Sequence, residues 1–357
     1  MSQRALTLHH SPWQGVLYVT GGGTELLSEL LTTPGASRTV LEAFVPYTPE
    51  SLAERIGGTP DQACSASTAR ALAMAAFQRA RLLGGESAFG LGCTASLATD
   101  REKKGAHRAH VSIQTIATTY NAEILLEGDR AAEEDTLVAF LWHALDQALA
   151  LEMDVSAPKA PRVDTHRTHA QPHWRALILG ETQAAASAHH DGGLLFPGAF
   201  NPLHHAHARM LEMAEQRTGL SGAFELSIVN VDKPLLDYTE IEARLSQFNA
   251  PVWLTRLPTF LEKARHFPGA HFVLGIDTLL RLVEPRYYGT TADRDRALEE
   301  LHALGSRFVV FGREHDGTFR VLEDITLPAP LRSRCIGVRQ ADFHEPISSS
   351  DLRKPTP

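Results

Sequence analysis

The chain is poor in cysteine. It has three in 357 residues, Cys64, Cys93 and Cys335, and no two stand at CxxC spacing. That excludes a disulfide framework and a thiolate zinc site, and it suits a reducing compartment. Long apolar runs are missing too: no stretch approaches the roughly 20 residues that span a bilayer. The opening "MSQRALTLHH" lacks the apolar core of a secretory signal. Excess positive charge is also absent. A formal charge of −8 argues against broad contact with nucleic acid or an anionic membrane, although a local basic pocket can still take phosphates. There is no internal repeat. These absences lead us to expect a soluble cytoplasmic protein with neither nucleic-acid nor membrane partners.

What is present suffices for two cores. The length exceeds the usual single-domain size, and 43% hydrophobic with 21% charged residues are ordinary globular values. "SAPKAPRVDTHRTHAQPH", residues 156–173, has scattered prolines and histidines and no apolar periodicity, so it reads as a linker. Before it, Leu137, Phe140, Leu141, Ala144, Leu145 and Ala148 share one helical stripe, with Glu133, Glu134 and Asp135 suited to the first turn. "STARALAMAAFQRARLLGG" predicts a second helix stopped by a glycine pair. Between the two helices lie the strand-like runs "SAFGLGC", "AHVSIQT" and "AEILLE". Residues 1–155 thus predict an α/β domain.

In residues 174–357 the short apolar runs "GLLF", "FELSIVN", "VWLTRL", "HFVLG" and "RFVVFG" alternate with helical or loop stretches. That alternation predicts a doubly wound, Rossmann-like parallel sheet with its ligand at the strand carboxyl ends. The fold class is therefore two α/β domains, and with a boundary at 173/174 a chain starting near Trp174 is expected to keep the second domain's activity if it stays soluble without its partner domain.

"GGLLFPGAFNPLHHAHARMLEMAEQ" reads as strand, turn and helix, with Gly198 and Pro202 in the turn. His204 and His207 then share a face at the helix start, where orphan N–H groups and the dipole favour an anion. Imidazole N–H donors there would hold phosphate oxygens. Two other readings remain: a zinc site, for which no third ligand stands nearby, and plain helix capping. "PISSSDLRK", Pro346–Lys354, is either an N-cap or a set of hydroxyl and guanidinium donors for polyphosphate. Lys233, in "NVDKPLL", is either a donor to a ligand phosphate or solvated surface. Trp253, in "PVWLTRL", either stacks on a ligand ring or belongs to the core.

"GAFNPLHHAH" with "ISSSDLR" resembles the signature pair of the nucleotidyltransferase superfamily that contains the nicotinamide/nicotinate mononucleotide adenylyltransferases. Ala206 stands for the usual glycine and Ser350 for the usual threonine. "LGIDT" looks like the family's strand end near the mononucleotide, and "VVFGRE" like a late strand whose Arg313 faces ATP. The resemblance, spanning about Leu194 to Lys354, implies adenylyl transfer from ATP to NMN or NaMN, giving NAD or its deamido form and pyrophosphate. It places Gly198, Ala199, Phe200, Asn201, His204, His207, Arg313, Ser348, Ser349, Ser350 and Arg353 at ATP, with His204, His207 and Arg353 catalytic. Lys233, Trp253 and Asp277 would take the mononucleotide. Mg²⁺ would arrive with ATP, with no resident metal.

"VTGGGTELLSELLTTPGASRTVLEAFVPYT" and "EGDR" resemble the C-terminal-type domain of the CinA family, which includes nicotinamide mononucleotide deamidases. Thr20 falls at the family's serine nucleophile, and Gly21 and Gly22 replace its cysteine and threonine. Tyr47 and Lys104 are the candidate partners of Thr20. The family's second glycine-rich loop survives only as "GCTASLATDREKKGAHRAHV", so a degenerate deamidase, serving binding and homo-oligomerisation, is expected. The rival readings are nucleotidyl transfer to another phosphate acceptor, such as a pantetheine or polyol phosphate, and a nucleotide-binding sensor without turnover.

Overall fold

The computed structural model describes residues 2–100, 105–229, 234–315, 318–345 and 352. The N-terminal elements are α1 (Gln3–His10), β1 (Trp13–Thr20), α2 (Thr24–Thr32), β2 (Val40–Phe44), α3 (Pro49–Ile56), α4 (Ala66–Leu82) and β3 (Ser87–Ser96). They continue as β4 (Arg108–Thr115), β5 (Thr118–Leu125), α5 (Arg130–Leu149), β6 (Val163–His169) and α6 (Pro172–Leu179). One sheet runs β2-β1-β3-β4-β5-β6, parallel across the first three strands and antiparallel beyond.

Alternation along β3 assigns its two faces. Gly90 and Gly92 face α4, where an added Cβ would stand 2.2 Å from the carbonyl oxygens of Ala73 and Ala69. The alanine-rich helix reaches this close only because glycine lies opposite. Phe89, Leu91 and Cys93 face the other way, into a core shared with Leu137, Phe140, Leu141, Ala144 and Leu145 of α5. The stripe expected from spacing is therefore the stripe that packs. Each such leucine or phenylalanine contributes about 1.5–3 kcal/mol by leaving water.

Residues 156–173 are not a structureless linker. They contain β6, paired antiparallel with β5 from Thr118↔His169 to Ile124↔Val163, and the start of α6. As an edge strand β6 buries only Thr168, so no apolar alternation marks it in the sequence.

The 173/174 boundary also shifts. The first compact unit comprises Met1–Ile178 together with Asn230–Glu242. In that later segment Leu235, Asp237, Tyr238 and Ile241 are buried. The Tyr238 ring stacks on Trp174 at 6.3 Å, its hydroxyl donates to the Ile116 carbonyl at 2.8 Å, and its N–H donates to Thr119 at 3.0 Å. Asn121 donates to the Thr239 hydroxyl at 2.9 Å. Arg70 donates to Asp237 at 3.0 Å and to Glu240 at 3.1 Å. Burial pushes the Asp237 carboxyl above its ordinary value, and Arg70 opposes that rise.

The second unit, Leu179–Val229 with Ala243–Pro357, holds β7 (Ala184–Ala186), β8 (Leu194–Pro197), α7 (His205–Thr218) and β9 (Gly222–Ser227). Next comes α8 (Tyr238–Leu245), whose first residues belong to the first unit, followed by β10 (Val252–Thr255), α9 (Phe260–His266), β11 (His271–Gly275) and α10 (Ile276–Leu282). The unit ends with α11 (Thr291–Ala303), β12 (Arg307–Phe311), the hairpin β13 (Arg313–His315) and β14 (Thr318–Arg320), α12 (Ala329–Arg332) and β15 (Cys335–Val338). Its sheet runs β15-β12-β11-β8-β9-β10-β7, parallel except for β7. The chain leaves β8 toward β9 and β10 and then returns to β11, β12 and β15 on the other side. The strand order thus reverses between β8 and β11, the topological switch point at which such sheets bind ligands. Among the described residues no helix is long and apolar enough to cross a membrane.

The Arg70–Asp237 pair yields a stability prediction. Arg70→Ala leaves the Asp237 carboxylate buried and unpaired, at an expected cost of about 3–5 kcal/mol. Arg70→Leu with Asp237→Asn should cost less than Arg70→Ala alone. Chemical denaturation of the full chain checks the order, and equal losses would show that the pair is not coupled.

Candidate functional site

The stretch "GAFNPLHH" leaves the carboxyl end of β8 at the switch point. Phe200 sits in the left-handed region with φ 46°, a conformation that costs a non-glycine residue about 1–2 kcal/mol. Its ring is enclosed by Phe196 at 5.4 Å, Phe224 at 5.1 Å, Phe248 at 5.3 Å and His207 at 5.1 Å. A Cβ at Gly198 would stand 2.5 Å from that ring, so the glycine is required by close approach. The Asn201–Pro202 peptide is cis, and His204 then caps α7 in extended conformation.

The His204 and His207 rings stack with centroids 3.7 Å apart and planes inclined by 26°. The His204 backbone N–H donates to His207 Nδ1 at 3.3 Å. An accepting Nδ1 places the proton of neutral His207 on Nε2, where it can be donated to a ligand. Burial, with the neighbouring His204, pulls the His207 pKa down to about 4. His204 is lowered as well, chiefly by burial and then by His205 and Arg313. Its Nδ1 is buried and has no partner among the described residues. His205 is exposed, and its Nε2 lies 3.2 Å from the Glu345 carboxylate.

A cavity of about 400 Å³ opens on this turn. The sequence-derived residues Gly198, Ala199, Phe200, Asn201, His204, His207, Asp277 and Arg313 all line it. Asp277, in the first turn of α10, accepts from Arg313 Nη1 at 3.0 Å, so the residues expected at the mononucleotide and at ATP form an ion pair on one wall. Sequence reasoning missed Glu345, also in the lining, which directly precedes "PISSSDLRK". Arg209 and His205 of α7 both pair with it. Among the described residues no group of three or more His, Cys, Asp or Glu could hold a metal ion.

Trp253 is not among the cavity residues. Its ring packs edge-on against Phe267 at 5.0 Å and its indole N–H donates to His190 at 3.2 Å, so it is half-buried against the core of the second unit. Lys233, Ser348, Ser349, Ser350, Arg353 and Lys104 lie outside the described residues.

In the first unit, Thr20 ends β1 and donates its hydroxyl to the Pro46 carbonyl at 2.9 Å. Tyr47 is 65% exposed. The glycine triplet is a structural turn: Gly21 and Gly23 have φ 80° and 82°, and a Cβ at Gly21 would stand 2.0 Å from the Ala95 carbonyl oxygen. The N-terminus of α2 that follows is taken by a carboxylate of the chain itself. Glu134 of α5 accepts from Gly23 N–H at 2.8 Å and from Glu25 N–H at 3.3 Å. In "EGDR", Asp129 caps α5 and Arg130 donates to the Ala98 carbonyl at 3.1 Å. The residues "TGGG" and "EGDR" thus each have a local structural task.

Comparison with known proteins gives two findings. A cytidylyltransferase-like family model matches residues 195–249, from β8 to just beyond α8. Among curated proteins no match is found. Among solved structures, the N-terminal part is similar to CinA-type proteins. The competence/damage-inducible protein CihA of Agrobacterium tumefaciens is 21% identical, with TM-score 0.32, covering 39% of this chain and 85% of that one. A CinA-superfamily protein of Klebsiella pneumoniae is 15% identical, with TM-score 0.32, covering 41% and 93%. One from Escherichia coli is 17% identical, with TM-score 0.30, covering 38% and 81%. At such TM-scores nothing about activity follows from the likeness. The segment from β8 to α8 is nucleotidyltransferase-like, and it contains the histidine turn.

Proposed function

We propose that the second unit transfers the adenylyl group of ATP to the phosphate of a pyridine mononucleotide, NMN or NaMN, forming NAD or its deamido form and releasing pyrophosphate. The observation that carries this reading is the pair of stacked, neutral imidazoles at the N-terminus of α7, lining a cavity at the switch point with Arg313. A phosphate oxygen of the mononucleotide attacks the α-phosphorus of ATP. The new P–O bond forms as the bond to the β-bridging oxygen breaks, and pyrophosphate leaves. No covalent enzyme intermediate is required, so the protein acts by positioning and by compensating charge. His207 Nε2–H, His204 and the α7 dipole stabilise the negative charge that shifts onto the leaving phosphates. Mg²⁺ enters as part of the substrate, on phosphate oxygens and water. Ser348, Ser349, Ser350 and Arg353 are proposed to complete the triphosphate site, and Lys233 to contact the mononucleotide.

For the first unit we propose a scaffold derived from a deamidase, active through binding and self-association in the cytoplasm. Its glycine turn is closed to phosphate by Glu134, and the Thr20 hydroxyl is committed to Pro46.

Three outcomes test these readings. With ATP and NMN or NaMN, His204→Ala and His207→Ala should each lower pyrophosphate release by about 10²-fold or more, and His205→Ala far less. Equal losses at all three positions would remove the phosphate-clamp assignment.

The second outcome is a pH dependence. An unfolded histidine takes a proton near 6.5, whereas folded His207 refuses it until about 4. The folded state is therefore relatively stabilised above 6.5 and loses that stabilisation as pH falls from 6.5 to 4. The thermal midpoint should drop across this window, and less steeply in His207→Gln. Parallel curves for the two proteins would contradict the assigned shift.

The third outcome is chemical. The full chain should release little or no ammonia from NMN. Robust release abolished by Thr20→Ala would instead make the protein bifunctional.

A further inference from the structure

The phosphate turn does not hold itself. Its backbone groups are gripped from outside by residues in and just after the last turn of α8. The Leu203 N–H donates to Gln247 Oε1 at 2.8 Å, and Gln247 Nε2 donates back to the Phe200 carbonyl at 3.3 Å, with the Ala243 and Arg244 carbonyls slightly farther off at 3.4 Å. Arg244 donates to the Ala199 carbonyl, and Phe248 sets its ring edge-on to Phe200. One carboxamide thus spans the turn, gripping the residue before Asn201–Pro202 and the residue after. We infer that Gln247 is a positioning residue for nucleotidyl transfer. By fixing the left-handed Phe200 and the approach to His204, it sets where the two imidazoles stand.

The chemistry of the side chain supports this role. A carboxamide offers an acceptor and a donor in one plane, matching one N–H and one C=O. Glutamate would keep the acceptor for Leu203 and set a negative oxygen against the Phe200 carbonyl. Methionine would keep the volume and lose all of these bonds. A left-handed non-glycine residue persists only where its surroundings over-determine it, and the amide supplies polar restraint where the aromatic rings supply apolar restraint. Catalytic donors must be held to a fraction of an ångström, because misplacement by about 1 Å costs roughly 10²-fold in rate. Gln247 touches no ligand in this scheme. It acts through the turn.

The inference rests on the proposed phosphate site, and its test separates the two. On the full chain, MgATP affinity would be measured by calorimetry, and the His204 and His207 titrations by NMR without ligand, for Gln247→Met, Gln247→Glu and Ser246→Ala. Just past the end of α8, the Ser246 hydroxyl donates to the Ala243 carbonyl at 3.0 Å, away from the turn, and serves as the control. Gln247→Met should weaken MgATP about 10-fold or more and lower kcat, with the acceptor KM unchanged. The His207 titration should move up from about 4 toward its ordinary 6.5 as the turn loosens and the ring meets water. Gln247→Glu, keeping the bond from Leu203, should fall between, and Ser246→Ala should match the wild type. Wild-type MgATP affinity together with a wild-type His207 titration in Gln247→Met would overturn the inference. Absence of turnover on pyridine mononucleotides, with MgATP binding still dependent on Gln247, would defeat the acceptor assignment and leave this role standing. If the wild type binds no MgATP, the proposed phosphate site fails, and the ligand-free titration alone decides whether Gln247 positions the turn.

Discussion

The candidate site depends on one backbone conformation, the left-handed Phe200. Leaving β8, the chain must reverse within a few residues so that α7 starts over the strand ends. A phenylalanine at φ 46° is an unfavourable way to do so. It persists because its ring fills a pocket of Phe196, Phe224, Phe248 and His207 and lies against Gly198, where no Cβ would fit. Burial of a large aromatic ring, worth on the order of 1.5–3 kcal/mol, outweighs the local strain. The same ring contacts the imidazole of His207, so the hydrophobic core and the candidate chemistry share one residue.

That sharing also sets the charge state. Two imidazoles with centroids 3.7 Å apart cannot both be cationic without strong repulsion, and burial disfavours even one charge. Both are therefore held neutral, and in the proposed reaction the charge beside them would come from the polyphosphate. The facing wall is arranged otherwise. There Arg313 is already paired with Asp277, so its cation is held in place at a fixed position.

The two units contain the same local design, strand, glycine-bearing turn and helix, with opposite outcomes. At α7 the helix start lines an open cavity. At α2 it meets Glu134, while the neighbouring Glu133 accepts from Ala98 N–H at 2.6 Å and contacts His107 Nδ1 at 2.5 Å. Two consecutive carboxylates of α5 thus tie the α2 turn and the β3–β4 connection to one helix. A carboxylate satisfies a helix start as a phosphate would. Where the chain provides its own anion, the turn is a joint of the fold.

The sequence by itself determined the elements whose signal is local. The α5 stripe, the alternating runs of the second sheet and the strand–turn–helix around His204 follow from apolar spacing and from glycine and proline, which constrain neighbours in the chain. It also brought out Gly198, His204 and His207 from their place in a strand–turn–helix, while Asp277 and Arg313 came only from the resemblance of "LGIDT" and "VVFGRE" to a family's motifs. Only the tertiary structure decided the rest. Edge strand β6 is polar outward and carries no period; Trp253 packs against the core because His190 and Phe267 meet it there. The segment with Asp237 and Tyr238 joins the first unit through Arg70 and Trp174, which lie more than sixty residues away in the chain. Glu134 and Gln247 look in sequence like ordinary polar residues of helical stretches. What they do depends on which backbone groups come within hydrogen-bonding distance, and folding, not residue type, sets that distance.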